Sequence, residues 1–335
     1  VADQNSLSVL EICAGAGGQS LGLEQAGFGH DLAVEIDPDA CETLRLNRPE
    51  WNVHEGDVRE VSGKDYRGID LLAGGVPCPP FSIAGKQLGA DDERDLFPEA
   101  IRLVREARPA AVMLENVRGL SSAKFAPYRQ SILESLDGLG YEAEWQVLNA
   151  SEYGVPQLRP RFILVGLKRK YMRRWHWPEP VGTPPTVGEA LYPLMARDGW
   201  TGAEEWREKA SGIGPTVVGG SRKHGGPDLG PTRARAAWHE LSVDGRGLAN
   251  AGPNELTPAD AVPRLTVEMA AVIQGFPPEW RFTGRKTASY RQVGNAFPPP
   301  VARAVGTSIK AALHGTARLS SSTSGVQLPL LRRVV

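Results

Sequence analysis

Residues 7–13, LSVLEIC, form a short apolar run that breaks at AGAGG (14–18) and resumes as QSLGLEQAGF, with Leu21 and Leu23 followed by Gly27 as a stop. A strand, a glycine-rich turn and a helix in that order favour a sheet whose strands are joined by helical crossovers. The pattern recurs: HDLAVEID (30–37) precedes the helical DACETLRLN, IDLLAGG (69–75) is a further strand, and PAAVMLENV (109–117) follows the helical FPEAIRLVREA. Such alternation predicts an α/β fold with a doubly wound, mostly parallel sheet. Residues 128–139 read as a helix, and 143–149 and 161–167 as two late strands.

From 169 to 262 the text is rich in Trp, Gly, Pro and Arg and weak in apolar period, which predicts a second, loop-dominated region. Helical text returns at 264–276 and 298–313, and SSSTSG marks the tail beyond Gly315 as loosely attached. The 335 residues accommodate about two domains at roughly 150 residues each. No run approaches the roughly 18 apolar residues of a membrane helix, and the start of the chain lacks the pattern of a secretory signal, so a cytoplasmic, non-membrane protein is expected. Net charge is −1, but residues 1–150 carry 13 basic and 25 acidic side chains and the remainder 25 and 14. Halves of −12 and +11 suit a chain that handles a small ligand with one part and a polyanion with the other. The three cysteines, Cys13, Cys41 and Cys78, form neither a metal pair nor a disulfide framework, and no metal is expected.

The AGAGG turn sits where backbone can approach a ligand closely and a helix N-terminus favours an anionic group. Ser20 replaces the last glycine of the dinucleotide fingerprint, which disfavours a nicotinamide or flavin enzyme. Glu35 closes the second strand, where its carboxylate can accept from both hydroxyls of a ribose, and Asp57 in EGDV stands where an adenine amino group would donate. Ile36 and Leu96 are candidate apolar walls for the base. Gly, Glu and Asp at consecutive strand tips together suggest an adenosine pocket.

GGVPCPPFS (74–82) places Cys78 in a Pro- and Gly-rich loop directly after a strand, at the ligand-binding edge of the predicted sheet. Cys13 and Cys41 lie instead in apolar periodic text and read as packing residues. A second strand tip carries Glu115 in ENV, and QLRPR supplies Arg159 and Arg161. A nucleophile, a carboxylate and an arginine beside an adenosine pocket define a particular chemistry.

With these motifs in order, the chain resembles the DNA (cytosine-5)-methyltransferase family. The resemblance rests on CAGAGG (13–18), VEID (34–37), GD (56–57), GGVPCPPFS, DLFPE (95–99), ENV, YGVPQLRPRF (153–162), PRLTVEMAAVIQGFP (263–277) and YRQVGNAFPPPVA (290–302). It departs where the family has aromatic residues, here Cys13 and Ile36, and at Pro79, where Gln is common. The resemblance implies an S-adenosylmethionine-dependent, Rossmann-like catalytic domain over 1–168, a smaller loop-rich target-recognition domain over 169–285, a return segment over 286–314 and a flexible tail over 315–335. It implies Cys78, Glu115 and Arg161 as catalytic residues.

Cofactor contacts would come from Cys13, Ala14, Gly15, Gly17, Gly18, Glu35, Ile36, Asp57, Val58, Leu96, Asn295 and Ala296, with S-adenosylhomocysteine as product and no metal. Contacts to double-stranded DNA would come from Pro77, Ser82, Asn116, Arg159, Thr216, Arg222, Lys223 and His224. Asn116 is expected to orient the catalytic loop, Arg159 to bind phosphate or support that loop, and Ser82–Arg94 to close over a flipped cytosine. A monomer that pairs functionally with a restriction endonuclease of the same specificity fits such a chain. A tRNA cytosine-5 methyltransferase and a non-catalytic DNA-binding relative are the alternatives.

Overall fold

The computed structural model describes residues 7–77, 95–219 and 228–315. The first part runs β1 (Leu7–Ile12), α1 (Gly18–Gln25), β2 (Phe28–Glu35), α2 (Pro38–Asn47), β3 (Val53–Glu55), β4 (Leu71–Gly74), α3 (Phe97–Ala107), β5 (Ala111–Val117), α4 (Ala126–Gly138), β6 (Tyr141–Asn149) and β7 (Pro160–Lys168). These strands form one sheet in the order β3-β2-β1-β4-β5-β7-β6. Strands β1 to β5 pair in parallel, whereas β7 runs antiparallel to both its neighbours. The mostly parallel, doubly wound α/β sheet is therefore as the sequence predicts, with one reversed strand whose direction matters for the site.

Central strands read as continuous apolar runs because both of their faces are covered. Alternate residues of β5 show this: Val112 and Leu114 pack with Phe97 and Val104 of α3, while Ala111 and Met113 pack with the opposite layer. That layer holds Leu23 of α1 together with Val301, Val305 and Ile309 of α11 (Pro299–His314), once α5 (Arg169–Met172), α6 (Val187–Met195), α7 (Ala203–Lys209), α8 (Thr232–Glu240), α9 (Val267–Ile273) and α10 (Lys286–Asn295) have intervened. α11 thus returns to pack with β1.

The region read as loop-dominated carries short helices between its loops. Trp200, Trp206 and Trp238 are buried among α6, α7, α8 and α9, and the indole N–H groups of Trp200 and Trp206 donate to Pro258 O and Ser242 O at 2.9 Å each. Helices this brief owe their stability to tertiary packing rather than to propensity. Their core also contains Leu21, Ala33, Leu44 and Trp51 from the first part, so the later helices pack directly onto α1, α2 and β2. No described helix is long and apolar enough to cross a membrane.

Candidate active site

The C-terminal ends of parallel strands are where open α/β sheets bind ligands, and β1, β2, β4 and β5 deliver their functional residues there. Cys13, in the left-handed region at φ 52, turns the chain out of β1, and Ala14 N donates to Val34 O at 3.0 Å. Gly15 follows at φ +57 and its N–H donates to Glu35 Oε2 at 2.7 Å. The other Glu35 oxygen accepts from Ile36 N and Asp37 N at 2.9 and 2.8 Å. Burial pushes the Glu35 carboxyl above the ordinary range, against the pull of those three amide groups.

The glycines of this turn differ in role. A methyl group added at Gly15 would meet nothing within 4 Å, whereas one at Gly17 would lie 2.6 Å from Trp280 and one at Gly18 2.2 Å from Phe297 O. The backbone at Gly15 thus borders open space, whereas protein packs against Gly17 and Gly18. Ala296 lies against Gly18, while Asn295 is exposed one residue earlier.

Several features suit this turn to an adenosyl amino acid. α1 begins without a side-chain cap and without an acidic residue in its first turn, leaving amide donors for an anion. Gln19 in that turn is 4% exposed, and neither atom of its amide has a partner. The sequence reading passed over Gln19, although a glutamine in an otherwise apolar helix start is its visible signal. Ile36, at the tip of β2, is 67% exposed and offers an apolar surface. Asp57 is less free than expected: its carboxylate accepts from Arg59 N and Arg59 Nη1 at 2.9 Å each, which holds it below the ordinary carboxylate range. Val58 is buried, and Leu96 is half-buried against the core containing α3.

Glu115 projects from the end of β5. Because β7 is antiparallel, Arg161 enters from its beginning and pairs in register with Val117, two residues beyond Glu115. Residues diagonal on one face of a strand pair lie within reach of each other. Arg161 Nε stands 2.7 Å from Glu115 Oε1, an ion pair off the ideal hydrogen-bond direction, and Arg161 Nη1 donates to Pro160 O at 3.0 Å. Burial raises the Glu115 carboxyl, opposed by the charges of Arg161 and Arg159. A carboxyl poised this way can hold or share a proton.

The loop after β4 passes beside this pair: a methyl group at Gly75 would sit 3.5 Å from Glu115 Oε2. Asn116 Nδ2 donates to Val76 O at 2.8 Å, ahead of the loop it is expected to orient. Pro77 is exposed, and its carbonyl accepts from Leu96 N at 3.3 Å, so the residues flanking 78–94 adjoin. Cys78, Ser82 and the rest of 78–94 lie outside the described residues, as do Arg222, Lys223 and His224.

Arg159 departs from the phosphate contact considered for it. It is 1% exposed, and its guanidinium donates to Val217 O and Gly294 O at 2.6 Å each and to Ala296 O at 2.9 Å. Its role here is support. Around it, Gln157 Nε2 donates to Ile273 O at 3.0 Å, Gln157 Oε1 accepts from Val217 N at 3.0 Å, and Thr216 Oγ1 donates to Leu158 O. The QLR segment thus ties residues 216–217, the end of α9 and the end of α10 to the strand carrying Arg161. Among the described residues no group of His, Cys, Asp and Glu could hold a metal ion.

Comparison with known proteins follows the same line. The family described as C-5 cytosine-specific DNA methylase matches residues 7–311. Type II methyltransferase M.NaeI of Lentzea aerocolonigenes is 60% identical over 313 residues, covering 92% of this chain and 76% of the relative. Type II methyltransferase M.NgoMIV of Neisseria gonorrhoeae is 56% identical over 316 residues, covering 91% and 97%. Among solved structures, an E. coli prophage protein described as a DNA modification methyltransferase has a TM-score of 0.65 at 26% identity, covering 92% of this chain and 100% of that one. S. pombe Dnmt2 methyltransferase shares the fold at a TM-score of 0.60 and 17% identity, covering 92% and 99%.

Proposed function

From the premise that the chain belongs to the C-5 cytosine-specific DNA methylase family, we propose that it transfers the methyl group of S-adenosylmethionine to carbon 5 of a cytosine flipped out of duplex DNA. The observation that carries this reading is the buried Glu115–Arg161 pair, 2.7 Å apart, beside the loop that leads into Cys78.

Carbon 5 of cytosine is a weak nucleophile, so the thiolate of Cys78 attacks carbon 6 and forms a carbon–sulfur bond, shifting electron density onto the ring. Negative charge then builds on ring nitrogen 3 and the carbonyl oxygen. Glu115, whose carboxyl burial favours in the protonated form, donates to nitrogen 3, and its second oxygen accepts from the exocyclic amine, which selects cytosine over thymine. Arg161 holds the carbonyl oxygen. S-adenosylmethionine, when bound, supplies an electrophilic methyl group; Glu35 would accept from its ribose hydroxyls, Ile36 would face its adenine, and the α1 N-terminus with Gln19 would meet its amino-acid end. Once carbon 5 has bonded that methyl group, loss of its proton to solvent, return of the nitrogen 3 proton to Glu115 and breaking of the Cys78–carbon 6 bond would restore the aromatic ring. The target atoms are inaccessible within the base stack, hence the flipped base.

Residues 169–285 would read the DNA, with Thr216 and the cationic Arg222, Lys223 and His224 near the contact. The names of the two bacterial relatives favour a restriction-modification role, with a cognate endonuclease as functional partner. The test is transfer of labelled methyl to unmethylated duplex DNA beside Cys78→Ala, with bisulfite sequencing of the product. Transfer that requires Cys78 and marks one short sequence supports the proposal; transfer to tRNA alone, or cofactor binding with no transfer, overturns it.

A further inference from the structure

A tryptophan from the far end of the chain sits beneath the cofactor turn. Trp280, 5% exposed, follows α9 in sequence, yet its indole Nε1 donates to Ala16 O at 3.2 Å across 264 positions. The ring lies where a side chain at Gly17 would be, 2.6 Å from a methyl group added there. Gly17 has φ +88, so a side chain at this position is disfavoured by backbone conformation and by the indole together.

Trp280 is itself fixed from several sides. Phe276 lies 6.0 Å away and Trp51 6.4 Å away between ring centroids, and the Arg48 guanidinium is 5.3 Å from the Trp280 centroid. Arg48 is held in turn by Glu24 of α1, at 2.7 to 3.0 Å through three hydrogen bonds. The residue that follows it is also anchored: Arg281 N donates to Asn47 Oδ1 at 2.9 Å, and Asn47 Nδ2 to Arg281 O at 2.7 Å. An amphipathic ring in so fixed a setting does more than fill space, since its one polar atom meets the one carbonyl at the centre of the turn.

We infer that Trp280 is a positioning residue for the cofactor turn: by holding Ala16 O and seating its ring on Gly17, it fixes the orientation of the Gly15 N–H and of the first amides of α1. It need not touch the cofactor. This inference rests on the reading of residues 13–18 as the S-adenosylmethionine site.

The test uses the full chain and S-adenosylhomocysteine as the calorimetric probe, with Trp280→Phe, which keeps an aromatic ring but removes the N–H, and Trp280→Ala. The expected result for Trp280→Phe is roughly three- to tenfold weaker binding of S-adenosylhomocysteine, in line with the loss of one hydrogen bond. Affinity for duplex DNA should stay within about twofold, and in turnover KM for S-adenosylmethionine should rise with little change in kcat. Trp280→Ala should weaken cofactor binding further and also lower the melting temperature. Unchanged cofactor affinity in Trp280→Phe, with the wild type binding normally, overturns this inference alone; a wild type that does not bind S-adenosylhomocysteine overturns the cofactor reading and this inference with it.

Discussion

Arg161 Nε and Glu115 Oε1 stand 2.7 Å apart on antiparallel strands, with side chains only 11% and 12% exposed. Each therefore conditions the other. Removing Arg161 leaves the buried carboxyl without its nearest cation, and its proton affinity rises further. Arg161→Ala is expected to slow methyl transfer by roughly 100-fold or more, the scale for loss of a group that stabilises charge in a transition state. Cofactor affinity should be preserved, because Glu35 and the glycine turn lie on other strand tips. Steady-state kinetics beside S-adenosylhomocysteine calorimetry checks this, and equal losses in both would contradict the assignment.

The three cysteines should separate chemically. Burial and the nearby Glu35 push the Cys41 thiol up to about 12, and burial raises Cys13 well beyond the ordinary thiol range. Cys41 Sγ also donates to Glu35 O at 3.3 Å. Since the thiolate is the reactive form, neither should alkylate at neutral pH. Iodoacetamide is expected to modify one site rapidly in the native protein, and Cys78→Ala should abolish that modification. Rapid labelling that survives in Cys78→Ala would assign the reactive thiol elsewhere.

What was legible in the sequence follows from how local each signal is. The strand tips were visible because glycines and carboxylates punctuate apolar runs, and Glu35, Glu115 and Arg161 all occur at sheet ends. β3 was legible only as a strand end ahead of Asp57, because Val53–Glu55 is too short to show a period. α6 carried a readable start signal, Thr186 with Glu189 three residues on, yet nine residues gave too little apolar repeat to stand out. Arg159 and Arg161 look alike in QLRPR, but Arg159 precedes β7 and is sealed against backbone carbonyls, while Arg161 lies within the strand and meets Glu115. The contact between Trp280 and Gly17 could not be read locally at all, since it joins opposite ends of the chain.

Glu35 gives two pH effects of opposite sign. Its folded carboxyl is raised above the ordinary value of 4.5, so the fold favours the protonated form. The associated stability is fully present below the unfolded pKa and is lost as pH rises through the raised folded value. On the proposed reading of the cofactor site, binding instead needs the carboxylate as an acceptor for ribose hydroxyls. Acidification should thus stabilise the ligand-free protein at this site while weakening S-adenosylhomocysteine binding. Denaturant midpoints and calorimetry across the acid-to-neutral range, each compared with Glu35→Gln, measure both slopes. A variant that keeps either slope would show that another group is responsible.

Arg159 should matter more for stability than its conservative neighbours suggest. Burial pushes its guanidinium well below the usual arginine range, opposed by Glu115 and reinforced by Arg161, yet it donates to three backbone carbonyls. Those carbonyls belong to residues 217, 294 and 296, so the side chain adds to the hydrogen bonds of Gln157 and Gln274 in joining these segments. Arg159→Ala leaves the buried Val217 and Gly294 carbonyls without this donor, Ala296 O keeping its bond from Gln274 Nε2, and is expected to cost about 3–5 kcal/mol, the range for removing one member of a buried polar network. Arg159→Lys offers a point charge without a planar fork and should recover only part of this. Because β7 also carries Arg161, the loss should appear in turnover as well as in the unfolding midpoint. A variant that unfolds at the wild-type denaturant concentration would mean that residues 217, 294 and 296 are held without the arginine.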